Sequence, residues 1–281
     1  MLSKSCPWQF LGKRYRVRVV SGLTCQHGFR PGLRKLRILR LSAHTMASLA
    51  SLLYALPVLV LGMVYSWRAR KLTGPGIATG GVVGAVIFLG AGWLGLVLLT
   101  LFFGLASAAS SWKVTEKRRQ GLAEGNKGRR TAGQVWANAG VAALLGLVAW
   151  LLPALAPKAV LMLAGSLAAA TADTLSSELG NVYGRRYYNV LSWRPDTRGL
   201  DGVVSLEGTL AGLAGSAVIA AAYCLSLGWG TAFGWILLAG TVGNFADSLA
   251  GATLERRHFL SNNAVNSINT LVGALTALLG S

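Results

Sequence analysis

The sequence predicts an all-α fold, a polytopic membrane bundle of about eight helical spans, six at the least. Three observations carry this. Hydrophobic residues make up 53% of the 281 and charged residues 13%, with a mean hydropathy of +0.52; a water-covered domain carries about 25% charged residues. Disorder requires low hydrophobicity and is excluded. Apolar runs near the roughly 20 residues that cross a bilayer recur along the chain, and the basic residues between them fall almost entirely in alternate breaks. The 36 glycines suit closely packed membrane helices.

The elements follow in order. Residues 1–45 hold ten Lys and Arg and no acidic residue. Their apolar segment is broken by charge, so they are not a standard signal peptide. We expect a poorly ordered or incidentally helical leader, with Met46 as the start of a single integral membrane domain over 46–281; a basic nucleic-acid or lipid-binding arm is the alternative. Apolar runs then cover about 48–66, 75–91, 93–111, 134–152, 159–180, 203–227, 231–254 and 264–280. The second and eighth are the shortest.

The charges between these runs set the orientation. Arg68, Arg70 and Lys71 follow the first. Seven basic residues from Lys113 to Arg130 follow the third. Arg185, Arg186, Arg194 and Arg198 follow the fifth, and Arg256 and Arg257 the seventh. The even-numbered breaks hold only Lys158, a ratio of 16 to 1. The positive-inside rule makes the rich side cytoplasmic and both termini external. The expected location is a bacterial inner membrane. A basic leader outside conflicts with this pattern, and a start at Met46 removes the conflict.

The nine acidic residues are few enough to place singly. Glu116, Glu124 and Asp196 lie in basic loops, where solvation accounts for them. Asp173, Glu207 and Asp247 fall inside apolar runs, where a carboxylate is a functional candidate by default. At a rise of 1.5 Å per residue, Asp173 and Asp247 lie about 10 Å from the cytoplasmic ends of their helices and Glu207 about 6 Å. Asn138, Asn266 and Asn269 share that shallow layer. The stretches ADTL (172–175) and ADSL (246–249) also echo one another, with Asp173 and Asp247 in matching positions and directions. This reads as a parallel duplicated element around a shared polar site.

Two carboxylates near a membrane surface, flanked by Arg and Lys, suit Mg²⁺ with a phosphate ligand. Lys113, Lys127, Arg129, Arg130, Arg185, Arg186, Arg256 and Arg257 are the basic candidates, each equally readable as a positive-inside anchor. Gly208, Gly212 and Gly215 favour close helix contact over a phosphate cradle. Cys6, Cys25 and Cys224 show no metal spacing, and Cys224 reads as a packing residue. No Walker motif, histidine cluster or Ser/His/Asp set is visible.

Five ordered stretches, GRRTAGQVWANAG (128–140), AATADTLSSELG (169–180), DGVVSLEGTLAGLAGS (201–216), GNFADSLAGATLE (243–255) and NNAVNSINTLVGA (262–274), together resemble the membrane family catalogued as domain of unknown function 92. The resemblance covers roughly residues 48–280 and stops short of the leader. It implies a polytopic membrane protein. For the plant phytyl-phosphate kinase of that family it implies phosphoryl transfer from a nucleoside triphosphate, with CTP the expected donor, to a prenyl monophosphate.

The first functional expectation is therefore a Mg²⁺-dependent kinase of an isoprenoid, phytyl-like, monophosphate. Asp173 and Asp247 would hold metal, and Glu178, Glu207 and Asp201 would hold metal or position the nucleophile. Asn138, Asn263, Asn266 and Asn269 would contact phosphate or nucleotide, with Lys113, Arg129 and Arg130 neutralising the triphosphate. The expected partners are the bilayer and the lipid phosphate, with no nucleic acid; oligomeric state is left open. The alternative is a transporter or lipid-phosphate flippase built on the echoed Asp motifs.

Overall fold

The computed structural model describes residues 31–122 and 128–281, with side chains from residue 50 onward. The leader up to residue 30, Glu124 and Lys127 lie outside the described residues. Residues Ala43–Ser281 form one unit.

Apolar composition and the near-absence of breakers inside each run make helices. They are α1 (Pro31–Arg68), α2 (Gly74–Ser111), α3 (Val114–Arg119), α4 (Ala132–Leu151), α5 (Ala156–Tyr183), α6 (Leu206–Leu227), α7 (Thr231–Ala250) and α8 (Asn262–Leu278). A 3₁₀ turn over Pro153–Leu155 links α4 to α5, and a π-helical turn over Gly251–Glu255 ends α7. A two-residue ribbon pairs β1 (Tyr188–Asn189) antiparallel with β2 (Val203–Val204).

The chain reverses inside α2. Gly92 has φ 57 and ψ −146, which is not helical. Gly84 lies against Leu96 and Leu99, and Gly95 against Ile87. An unbroken helix would hold those pairs about 12 to 22 Å apart, so α2 is a hairpin of two antiparallel halves. Its turn falls between the two apolar runs read from the sequence. Among the described residues five helical stretches, with this hairpin taken as one, are long and apolar enough to cross a membrane. The other long helices, α7 and α8, have 20 and 17 residues and carry Asn244, Asp247, Asn262, Asn263, Asn266 and Asn269.

α5 is the axis of the bundle. It packs against α2, α4, α6, α7 and α8, and every residue from Leu163 to Ala172 is buried. A helix enclosed on all sides must offer small residues so that neighbours can approach. Ala168, Ala169, Ala170 and Ala172 do this on α5, and glycines do it on its partners. A Cβ on Gly212 of α6 would sit 2.8 Å from the Ala172 carbonyl, and one on Gly273 of α8 would sit 2.7 Å from the Gly165 carbonyl. Gly208 and Gly215 likewise face α5, at Ser176 and Thr171, so these glycines of α6 serve helix packing.

Candidate functional site

One end of the bundle is polar. The N-termini of α4, α6 and α8 meet the C-terminal turns of α5 and α7 there, because sequence-coded caps stop the helices at that level. Thr131 and Gln134 form a reciprocal capping box on α4. Ser205 caps α6 by accepting from the Gly208 amide at 3.1 Å. The helix termini enclose a cavity of about 270 Å³. The α5 wall contributes Asp173, Ser177 and Glu178, and the α7 wall Asn244 and Asp247. α4 contributes Asn138, α8 contributes Asn262 and Asn266, and Arg130, just before α4, also lines it.

The two echoed aspartates meet. The carboxyls of Asp173 and Asp247 face each other within hydrogen-bonding reach. Two carboxylates this close repel one another and attract a cation. Asp247 Oδ1 and Asn138 Oδ1 are buried and have no hydrogen-bond partner among the described residues, although Asn138 Nδ2 donates to the Gln134 carbonyl at 2.9 Å. The charge of Arg130 also acts on Asp173. The Arg130 guanidinium lies 5.8 Å from the Phe102 ring centroid, and its backbone is stitched to the α1–α2 linker, donating to the Lys71 carbonyl at 2.9 Å and accepting from Thr73 at 3.0 Å.

Among the described residues no three Asp, Glu, His or Cys side chains cluster as a metal cage. A cage of protein ligands is not what Mg²⁺ requires, since it takes one or two carboxylates and completes its shell with phosphate oxygens and water. Asp173, Asp247 and the unpartnered Asn138 oxygen fit that donor set. The N-termini of α4, α6 and α8 direct partial positive charge at the same space, which favours phosphate.

The cavity does not gather every residue expected from the sequence. Glu207 lies outside it, in a neighbouring cleft with Arg185 and Arg186, where its carboxylate accepts from the Arg185 amide at 3.4 Å. Lys113, Arg129, Asn263 and Asn269 also do not line it. Lys113 stands 5.5 Å from the Tyr183 ring centroid. Asn263 sits against Gly133 at the start of α4. Asn269 is fully buried behind Gly243, with neither amide atom partnered among the described residues. Arg256 has a structural task instead of a phosphate one: it donates to Asp196 at 3.0 Å and to the Asp201 carbonyl. Asp196 is thus a loop clamp. The Thr197 amide, the Asn189 side chain and Arg256 all bond to it and hold its carboxyl below the usual carboxylate range.

Glu178 lines the cavity but is already paired. Lys117 of α3, only 1% exposed, forms an ion pair with it. Lys117 also donates to the carbonyls of Ala109 and Ser110 at 3.0 and 3.1 Å. Sequence reasoning counted Lys117 only among the seven basic residues of its loop, since nothing local marks a loop lysine as buried. Asn244, Asn262 and Glu255 were also missed. Helical spacing was the available signal: Asn244 precedes Asp247 by three positions and Asn262 precedes Asn266 by four, which places each pair on one face. Glu255 lies just beyond α7. Partial burial, reinforced by Asp201, pushes its carboxyl up, opposed by a hydrogen bond from Asn262.

The loop from 199 to 205 closes the remaining side of the cavity and brings Asp201 to it. Gly202 makes this possible. Its φ is +69, and a Cβ there would lie 2.6 Å from the Ser248 carbonyl of α7, so only glycine lets the loop press on that helix.

The family profile described as integral membrane protein DUF92 matches residues 57–274. An uncharacterised membrane protein of Synechocystis is 34% identical over 220 residues, covering 74% of this chain and 83% of its own. The Arabidopsis thaliana protein VTE6, chloroplastic, is 33% identical over 216 residues, 74% of this chain and 65% of its own. An uncharacterised membrane protein of Methanocaldococcus jannaschii is 30% identical over 246 residues, 84% of this chain and 96% of its own. No solved structure matches the chain.

Proposed function

The chain belongs to the DUF92 family of integral membrane proteins, and from that membership together with the polar cavity we propose that it is a kinase of an isoprenoid monophosphate, with CTP the expected phosphoryl donor. One observation carries the reading. Two facing carboxylates, Arg130 and an unpartnered amide oxygen converge in a cavity at the helix ends, where a lipid phosphate and a soluble nucleotide can meet. The family resemblance to a phytyl-phosphate kinase supplies the substrate class.

In this reading Asp173 and Asp247 would hold Mg²⁺, with the unpartnered Asn138 Oδ1 as a further donor. When bound there, such an ion would supply charge neutralisation for the phosphates. The buried Arg130 binds the lipid phosphate where it lines the cavity, and the N-termini of α6 and α8 take up charge from the nucleotide phosphates. An oxygen of the lipid monophosphate bonds to the γ-phosphorus, and the bond from that phosphorus to the β–γ bridging oxygen breaks. The products are the lipid diphosphate and a nucleoside diphosphate. The attacking oxygen is already anionic, so positioning and charge neutralisation carry catalysis without a strong base. Glu178, held by Lys117, and Asp201, held on its glycine-bent loop, set the shape and charge of the walls.

A transporter or flippase site belongs near the bilayer midplane, whereas these carboxylates open among helix ends and the 199–205 loop. The test is purified protein incubated with prenyl monophosphates, Mg²⁺ and CTP or ATP. Formation of prenyl diphosphate is expected. Its absence with every donor, combined with lipid-phosphate movement across vesicles, would replace the kinase reading with the flippase one.

A further inference from the structure

The polar cavity has an apolar neighbour. A groove of about 550 Å³ runs between α1, the α2 hairpin and α4, lined by Leu59, Met63, Ile77, Val83, Leu99 and Phe103. That volume is in the range of small-molecule sites, about 300–1,000 Å³. Its polar end is made by Arg130, Gln134 and Asn138, and these same three residues line the polar cavity. Groove and cavity are therefore contiguous, joined at a buried guanidinium. A crevice that only meets bulk lipid has no need for a buried cation at one end.

We propose that this groove holds the hydrocarbon chain of the isoprenoid monophosphate, with the phosphate seated at Arg130 facing Asp173 and Asp247. The inference rests on the lipid-phosphate reading of the cavity and adds where the chain lies and what limits it. The exposed side chains of Leu61, Val58 and Tyr65 on α1 flank the groove, so a lipid can enter sideways from the bilayer. Tail burial then supplies affinity in proportion to chain length, while Arg130 sets the depth at which the phosphate stops. Arg130 is a binding and positioning residue that joins the two compartments.

The groove has room to be filled from two sides. A Cβ on Gly80 would meet only Leu72 Cδ1 at 3.6 Å, and one on Gly62 would meet nothing within 4 Å. The experiment measures binding of geranylgeranyl monophosphate and of isopentenyl monophosphate to the full chain in nanodiscs, with no nucleotide present. Gly80→Leu should lower the ratio of long-chain to short-chain affinity about tenfold or more, since each lost methylene contact weakens binding. Gly62→Leu, made from the opposite wall, should do the same, which guards against one variant failing to fold. Thr209→Leu, in the separate cleft beside Glu207, is the control and should leave the ratio unchanged. The inference is overturned if both glycine variants keep the wild-type ratio, if Thr209→Leu lowers it instead, or if wild type shows no preference for the longer chain. Because binding is read without turnover, chain-selective binding with no diphosphate product would sink the kinase reading alone. Diphosphate formation that both glycine variants leave equally chain-selective would sink the groove assignment alone.

Discussion

At the scale of single residues, the paired aspartates and the buried Lys117–Glu178 pair make opposite predictions. Asp173→Asn and Asp247→Asn keep side-chain size but remove the charge that would bind Mg²⁺. Each should abolish phosphoryl transfer and Mg²⁺ binding, measured by product assay and calorimetry, while the protein stays folded in the membrane. The double variant should be little worse than either single one, because residues acting as a unit are not additive. Lys117→Met should chiefly affect stability. It strands Glu178 as an unpaired buried carboxylate, a loss of about 3–5 kcal/mol. Lys117→Met with Glu178→Leu should recover much of that loss, read as thermal midpoints in detergent. Glu255 gives a pH dependence. Its carboxyl is pushed up in the folded protein by burial and by Asp201, so folding favours its protonated form. The resulting penalty is absent below the ordinary glutamate range and develops as pH rises through the raised folded value. Glu255→Gln should therefore raise the thermal midpoint at neutral pH and have little effect near pH 4, and equal effects at both pH values would refute this.

At the scale of elements, the α2 hairpin depends on one backbone conformation. Gly92 sits at φ 57, ψ −146, with nothing within 4 Å of where a Cβ would be. Space is available there, but the conformation is one that residues with a Cβ avoid. Gly92→Val should destabilise the protein by about 1–3 kcal/mol. Gly104→Ala, with equal space and ordinary helical backbone, should change stability little or raise it slightly. Thermal unfolding of the two variants side by side separates strain from crowding. Helices α6, α7 and α8 depend on crowding instead, since their glycines face the carbonyls and alanines of α5. That is why a helix with four asparagines, α8, can be held within the bundle.

At the scale of the whole molecule, the basic residues that follow the third, fifth and seventh apolar runs lie at the same end as the polar cavity. Arg130, Arg198 and Arg257 follow the third, fifth and seventh apolar runs, and the residues lining the cavity come from the ends of the flanking helices. The positive-inside rule then predicts a cytoplasmic cavity mouth. Reporter fusions after Arg198 and Arg257 should score cytoplasmic and one near Lys158 external. An external score at either arginine would invert the topology and cut the cavity off from cytoplasmic nucleotide.

The membrane class, the helical runs, the break at Gly92 and the pairing of Asp173 with Asp247 were legible in the sequence. Each rests on a quantity that counting along the chain measures. Hydropathy follows from composition, and depth within a helix follows from residue number at a constant rise. The echo of ADTL and ADSL marked two helices that present the same residue at the same depth. Only the tertiary structure decided the rest. It turned Glu207 and Asn263 away from the cavity, buried Lys117 against Glu178, set Arg256 to clamp a loop, and placed Arg130 between a polar cavity and an apolar groove. Those outcomes depend on how each helix is rotated about its own axis and on which distant loops touch. Small-residue contacts with α5 set the rotation, and residues far apart in the chain supply the partners, so neither quantity is present in any local stretch of sequence.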